Sequence, residues 1–491
     1  MKLLKDILYK VPISSIVGRT DLQVDAITAD SRKSGGNSVF VAVKGTQSDG
    51  HEFISKAINN GASVIVCQQL SPVLQKENEH ITFVQVEDSA RTLGIIASNF
   101  YDNPSSKLKL VGITGTNGKT SCATLLYELF MLLGYNSGLI STIKNCIGAE
   151  SIPATHTTPD PVTLNSLLNK MVQNNCTHCF MEVSSHAIVQ ERIAGLEFSG
   201  AVFTNITHDH LDYHKTFDNY IKAKKRFFDL LTEHSFALIN ADDKHSGIML
   251  QNSKAVKKTF GIHTLSDFKV KIIENTFSGL HLEINGKDTW FSFNGIFNAY
   301  NLGAIVGTAV LLGQELSLVL EKLSSLQPVR GRFEKLVSPN QVIGIIDYAH
   351  TPDALENVLN TIHECINTNQ KVLTVVGCGG NRDTSKRPIM AEVACRLSDT
   401  VIFTSDNPRS ENPMLILEQM QKGIPAIHLK DTLLIPDRKE AIKTAYSMSK
   451  QGDILLIAGK GHENYQEING IKYPFDDKDV LCEVMKEENR K

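Results

Sequence analysis

Residues 111–126 read VGITGTNGKTSCATLL, and within them Gly115, Thr116, Asn117, Gly118, Lys119, Thr120 and Ser121 have the chemistry of a phosphate cradle. In such a loop glycine turns let backbone N–H groups face an anion, a lysine adds a full charge and a Thr hydroxyl reaches Mg²⁺. The usual pattern is G-x-x-x-x-G-K-[ST]. Gly118-Lys119-Thr120 closes it, but Ile113 stands where the first glycine belongs, and the glycines fall at Gly112 and Gly115 instead. An apolar strand pattern precedes the turn and a helical one follows, so a helix N-terminus would face the anion. The bland alternative is a chance Gly-Lys-Thr at a tight corner, yet Asn117-Gly118-Lys119 serves no packing need there.

Two further groups follow apolar runs: Glu182-Val183-Ser184-Ser185-His186 and residues 207–214, THDHLDYH. A hard cation takes carboxylate, hydroxyl and phosphate oxygens, which Glu182, Thr120 and a nucleotide supply together. A zinc site from His208, His210 and His214 is the rival on local density, though without H-E-x-x-H spacing. Residues 220–226, YIKAKKR, make a helical stretch basic on one side, by itself a solvated face; Arg330-Gly331-Arg332 reads the same way or as a clamp on a polyphosphate. Later loops carry Asp347-Tyr348-Ala349-His350, Gly380-Asn381-Arg382, Asp406-Asn407-Pro408-Arg409 and Gly459-Lys460-Gly461-His462-Glu463. Turns rich in Gly, Pro and Asn are ordinarily only turns. Two arginines and a glutamate at strand ends of one sheet, however, suit a zwitterion: guanidinium for carboxylate, carboxylate for ammonium.

Something must hold these loops at common edges. Short apolar runs at 108–114, 138–142, 180–183, 201–206 and 236–239 alternate with helical patterns, and the style returns at 342–346, 372–376, 400–404 and 454–458. After Gly118, residues Leu125, Leu126, Leu129, Phe130 and Leu133 recur at helical spacing, and Gly134 supplies a stop. This alternation predicts α/β domains with parallel, doubly wound sheets, whose ligands sit beyond the carboxyl ends of the strands. Polar, turn-rich stretches at 102–107 and 327–332 divide the 491 residues into units 1–107, 108–332 and 333–491. A net charge of −3 with 42% hydrophobic residues advertises neither a nucleic-acid nor a membrane partner. Lys5, Asp6 and Lys10 interrupt the apolar N-terminus, and no run of about 18 apolar residues occurs, so a cytoplasmic protein is expected. Nine cysteines lie scattered, and the single C-x-x-C, Cys176 to Cys179, lacks the second pair a zinc site would need.

Taken together these motifs resemble the Mur ligase family, ATP-dependent amide-forming enzymes of bacterial cell-wall synthesis. The resemblance runs over nearly the whole chain, through Asp30-Ser31-Arg32, the loop at Gly115–Thr120, Thr157-Thr158-Pro159, Glu182 to His186, Asp209-His210-Leu211-Asp212, Asp347 to His350 and Gly459 to Glu463. G-T-N-G-K-T is that family's own phosphate loop, which accounts for Ile113. The resemblance implies three domains: an N-terminal one for a UDP-sugar, a central P-loop-type ATPase, and a C-terminal Rossmann-like one for an amino acid. It is strongest toward members that add the third residue to UDP-N-acetylmuramoyl-L-Ala-D-Glu. It implies a monomer that uses ATP and Mg²⁺ to phosphorylate the D-Glu side carboxylate and then joins an amine to it. By position it implies catalysis by Lys119, Glu182, His210 and Lys224, with metal on Thr120, Glu182, His210 and a carbamylated Lys224. ATP would meet Gly115 to Ser121 with Asn298, Asn301, Arg330 and Asp347; the UDP-sugar dipeptide would meet Ser31, Thr157, Thr158, Ser184, Gln190 and Arg192. The amino acid would meet Arg382, Asp406, Asn407, Pro408, Arg409, Gly459 and Glu463.

In this family D-N-P-R marks members that add meso-diaminopimelate, and lysine-adding members replace the Arg. The physics agrees: Arg409 can grip a distal carboxylate bidentately, which lysine lacks. Lysine would leave a buried guanidinium unpaired, costing about 1–3 kcal/mol, roughly 10–100-fold in selectivity. The alternatives are a lysine-adding enzyme, a folylpolyglutamate synthetase and a nucleotide switch that makes no bond. The last would leave Arg382, Arg409 and Glu463 without a use.

Overall fold

The structure is a computed structural model that describes residues 1–46, 48–367 and 369–487. Lys109–Thr114, apolar on both faces, is an inner strand of an eleven-stranded sheet. Around it Ser137–Ile140, His178–Glu182, Lys109–Thr114, Gly200–Phe203, Phe236–Asn240 and Val256–Gly261 run parallel in that spatial order. Helices Lys119–Leu132 and Ile296–Leu311 cover one face, Pro161–Gln173 and Phe217–Asp229 the other. Strands buried on both sides have to be near-continuously apolar, which is why these runs stood out. The helix after the phosphate loop ends where Gly134 takes φ 88°, its N–H bonding back to Met131 while that of Tyr135 reaches Phe130.

The sheet is parallel through its centre, as expected, and antiparallel strands are added at its edges. One edge is the antiparallel hairpin Lys144–Ile147 and Glu150–Pro153. The other is the meander Phe268–Thr276, Gly279–Ile284 and Lys287–Phe291. Its second turn is Asn285-Gly286, both at positive φ (48° and 80°), the geometry that favours two-residue hairpins. Hairpins need only such turns, whereas parallel strands need crossovers, so short polar-flanked runs extend the sheet locally.

The N-terminal sheet has five strands in the order Ile13–Val17, Thr82–Val86, Ala62–Cys67, Ser38–Val41, Ala26–Thr28, only the first antiparallel to its neighbour. The third sheet runs Glu334–Val337, Ile343–Asp347, Ile454–Ala458, Val372–Val376, Thr400–Phe403, Thr432–Leu434, again antiparallel only at the first strand. Helices flank both its faces. Within it the fully buried Arg438 and Asp477 form a two-pronged pair at 2.8 Å, and Arg438 also donates to the Ala458 carbonyl at 3.0 Å, tying the strand end to the first residues of the helices Arg438–Met448 and Asp477–Glu487. Residues 488–491 of the expected C-terminal unit lie outside the described residues. All nine cysteines are free; Cys176 and Cys179 are buried at the start of His178–Glu182. Among the described residues no helix is long and apolar enough to cross a membrane.

Candidate functional site

The glycine turn connects Lys109–Thr114 to Lys119–Leu132. Gly115 lies at φ 155° and Gly118 at φ 87°; a Cβ on Gly115 would fall 1.9 Å from Thr204 Oγ1, so neither position tolerates a side chain. Lys119 Nζ donates to the carbonyls of Gly115 (2.9 Å) and Thr116 (2.8 Å). Burial lowers its ammonium, opposed by the charges of Glu182 and Asp209. Lys224, 1% exposed, reaches the same Gly115 carbonyl at 2.8 Å from the helix Phe217–Asp229. Burial first and the neighbouring Lys119 second push its pKa well below the usual lysine range, which favours the neutral amine, with Asp209 opposing. Neither Lys222 nor Lys225 is buried in this way.

Thr120 Oγ1 donates to Glu182 Oε2 at 3.0 Å and accepts from Arg332 at 3.1 Å. The other Glu182 oxygen takes the Thr142 N–H at 2.7 Å. Two hard oxygen donors side by side at a helix N-terminus fit a hard divalent cation. Beside them burial lowers the His210 imidazole even against the pull of Asp209, leaving a neutral ring. The rings of the zinc alternative have separate partners: His208 lies 3.9 Å from Asp383, His210 3.3 Å from Asp209, and His214 bonds Ser185 at 2.9 Å. Next to Glu182 the resemblance-implied acceptor residues form one network. Thr157 takes the Thr142 hydroxyl (3.0 Å), Thr158 donates to the Glu182 carbonyl (2.8 Å) and accepts from Ser184 N–H (3.2 Å). Arg192 holds the Thr158 carbonyl (2.7 Å) and, with two nitrogens, the Gln190 amide oxygen (3.0 and 2.7 Å).

The third sheet brings its loops to the same place. Asn407 Nδ2 donates to Glu463 at 2.7 Å, while its Oδ1 accepts from Lys460, itself 3.0 Å from Glu463. Gly459, at φ 115°, leaves room for Asp406, whose Oδ2 a Cβ would meet at 2.6 Å. Arg409 donates to the Gly380 carbonyl at 2.7 Å.

These groups line two cavities. One, of about 420 Å³, has Gly115 to Thr120, Thr157, Thr158, Glu182, Ser184, Arg192, His210 and Lys224 on one wall and Arg382, Asp406, Asn407, Arg409, Gly459 and Glu463 on the other. The second, of about 410 Å³, is lined by Asn117, Gly118, Ser121, Asn301 and Asp347 with Phe260, Phe297 and Tyr300. Burial raises the Asp347 carboxyl to about 6 despite the Arg332 charge. The cavities share Asn117, Gly118, Arg332, Tyr348 and His350.

Five sequence-derived residues line neither cavity. Ser31 lies buried in the N-terminal sheet unit, its carbonyl bonded by Asn60. Gln190 accepts from Arg192, and Asn298 accepts from Asn301 at 3.2 Å. Pro408 sits in the loop behind Arg409. Arg330 pairs with Asp476, whereas Arg332, two residues on, donates to Thr120 and lies over the Tyr348 ring at 4.7 Å. Sequence reasoning also missed Asp353, whose partner Asn117 lies 236 positions away, and Lys386, which donates to the His350 carbonyl at 2.9 Å.

Comparison with known proteins accords with this geometry. Residues 113–309 match the Mur ligase middle domain, residues 331–461 the Mur ligase glutamate ligase domain, and residues 23–101 the Mur ligase family catalytic domain. The chain is 56% identical over 482 residues to the UDP-N-acetylmuramoyl-L-alanyl-D-glutamate–2,6-diaminopimelate ligase of Cytophaga hutchinsonii, covering 98% of this chain and 99% of that protein. The enzyme of the same name from Phocaeicola vulgatus is 52% identical over 485 residues, covering 99% and 100%. Among solved structures, a UDP-N-acetylmuramoyl-L-alanyl-D-glutamate–2,6-diaminopimelate ligase superposes with a TM-score of 0.69 at 29% identity, covering 99% of both chains. The MurF ligase of Thermotoga maritima in complex with ADP shares the fold at a TM-score of 0.65 and 20% identity, over 96% of this chain and 100% of that one.

Proposed function

The chain belongs to the Mur ligase family, and from that premise we propose that it joins meso-diaminopimelate to the D-Glu side carboxylate of UDP-N-acetylmuramoyl-L-Ala-D-Glu at the expense of ATP. The observation that carries the reading is the single cavity of about 420 Å³ with a phosphate loop on one wall and Arg409, Arg382 and Glu463 on the other. Such a cavity holds an anhydride and an amine at one point.

ATP enters the cavity lined by Asn301 and Asp347 and presents its γ-phosphoryl group past Gly118 to the shared wall. The D-Glu carboxylate attacks that phosphorus, ADP leaves and an acyl phosphate forms. The diaminopimelate amine then attacks the acyl carbon, releasing phosphate and a proton. Lys119 and the loop N–H groups neutralise the transferring group, so most of the catalysis is positioning and electrostatics. Arg192, Thr157 and Thr158 orient the acceptor. Arg409 and Arg382 hold carboxylates of the amino acid, and Glu463, fixed by Asn407 and Lys460, faces its ammonium.

Mg²⁺ would be held by Thr120, Glu182, His210 and Lys224, and supplies charge neutralisation at the transferring phosphoryl group. Lys224 becomes an oxygen donor by adding its neutral amine to CO₂ with loss of one proton, giving a carbamate; its depressed ammonium pKa supports that step. We read the working unit as a monomer in the cytoplasm; residues of one chain lining both cavities support the first, and the use of ATP supports the second.

The test is phosphate release from ATP in the presence of UDP-N-acetylmuramoyl-L-Ala-D-Glu with either meso-diaminopimelate or L-lysine. Turnover with diaminopimelate and at least ten-fold less with lysine is expected. Equal turnover with lysine would keep the ligase and overturn the pocket; no turnover with either overturns the ligase.

A further inference from the structure

The hairpin Tyr465–Ile468 and Ile471–Pro474 forms a two-stranded sheet of its own and is bridged to the Asp406–Arg409 loop between Ile468 and Arg409. It turns at Asn469-Gly470, both at positive φ (51° and 77°), the two-residue hairpin geometry. Its first strand grips the loop almost residue by residue. Gln466 Nε2 donates to the Asp406 carbonyl at 2.7 Å, and Glu467 N–H to Asn407 Oδ1 at 2.9 Å. Arg409 N–H donates to the Glu467 carbonyl at 2.9 Å and Asn469 N–H to the Arg409 carbonyl at 2.7 Å. Arg409 itself stands at φ 51°, a left-handed conformation that a non-glycine residue keeps only where its surroundings impose it. The hairpin imposes it.

The Arg409 side chain is held from two sides. Nη1 donates to the Gly380 carbonyl at 2.7 Å, and Nε lies 3.5 Å from Glu467 Oε2. A Cβ on the neighbouring Gly379 would stand 2.9 Å from Nη1, so the guanidinium lies in space that only a glycine there leaves free. Arg409 lines the cavity and Glu467 does not. Glu467 therefore works through Arg409.

We infer that Glu467 is a positioning residue for amino-acid choice: its carboxylate fixes the Nε edge of Arg409 so that the remaining N–H donors face the distal carboxylate of the amino acid. The inference rests on the amino-acid site proposed above. Orientation rather than charge is what the pair supplies, because both side chains are about a quarter exposed, 24% and 26%, and a pair so placed is screened. A guanidinium loose at that edge must be ordered by the ligand, and ordering one long side chain weakens binding about 3- to 10-fold.

The experiment measures kcat and KM for all three substrates in wild type, Glu467→Ala and Glu467→Gln. Both variants keep the Glu467 backbone bonds to Asn407 and Arg409. Glu467→Ala is expected to raise KM for diaminopimelate about 3- to 10-fold, with kcat and the KM values for ATP and the UDP-sugar within about two-fold, and to lower the diaminopimelate-to-lysine preference by the same factor. Glu467→Gln, which keeps an oxygen for Nε, should return within about two-fold of wild type. An unchanged diaminopimelate KM in Glu467→Ala, or equal losses for all three substrates, overturns the inference while leaving the ligase reading intact. A wild-type chain that ignores diaminopimelate overturns both.

Discussion

Asn117 Nδ2 donates to Asp353 at 2.9 Å, joining the phosphate loop to the first turn of the helix Pro352–Cys365 on the third sheet. The same carboxylate oxygen accepts from Thr207 at 3.3 Å, and burial raises its pKa. One side chain of the C-terminal unit thus clasps two loops of the central one. Asp353→Ala leaves the Asn117 amide unpaired, at about 1–3 kcal/mol. Steady-state kinetics should show kcat falling roughly 5- to 100-fold, with less change in ADP affinity by calorimetry. A variant that turns over normally would leave the clasp without a catalytic role.

Arg409→Ala should raise KM for diaminopimelate about 10- to 100-fold, the cost of an unmatched carboxylate, while KM for ATP and the UDP-sugar stays within about three-fold. A uniform loss over the three substrates would contradict its assignment to the amino acid.

Lys224→Ala should be folded and inactive, and a short-chain carboxylate added at millimolar concentration should restore part of the phosphate release, because the missing group is an anionic oxygen. Thermal melting establishes that the variant is folded. Failure of rescue in a folded variant removes the carbamate from the mechanism.

His178 is 6% exposed among the rings of Phe130, Tyr135 and Phe180, and burial lowers its pKa to about 4. The folded state therefore resists a proton that the unfolded chain accepts near pH 6.5. The stability contributed by the neutral ring is present above about 6.5 and lost as pH falls toward about 4, with a slope of up to about 1.4 kcal/mol per pH unit. Urea unfolding at pH 7 and pH 5 should give a smaller difference for His178→Gln than for wild type. Equal differences would mean that His178 titrates normally in the fold.

Much of the site could be read from the chain because its chemistry is local. Gly115 to Thr120 and Asp406 to Arg409 each occupy one turn at the end of an apolar strand, where strand, glycine and charge coincide within a few residues. What could not be read depends on direction or distance. Arg330 and Arg332 differ only in which way a linker points its side chains, and local sequence holds no signal for that. Asp353 meets Asn117 only because two separately folded sheets abut. Lys224 is set apart from Lys222 and Lys225 by burial on one helix face, a tertiary fact. Asn285-Gly286 in the antiparallel meander and Asn469-Gly470 in the hairpin beside Asp406–Arg409 are turn signals as strong as any in the chain.

The wall common to both cavities bears on inhibitor design. Asn117, Gly118, Arg332, Tyr348 and His350 are touched from either side, so on the substrate placement proposed above one molecule with an adenosine-like head in the first chamber and an amino-acid tail in the second has only that short rim to cross. Tethering the two heads turns the second contact into an intramolecular one, and a short linker can raise overall affinity by roughly 10²–10⁴-fold over either half. Because the rim presents the cationic Arg332 beside the Tyr348 ring, an anionic or aromatic linker matches it and a cationic one is repelled.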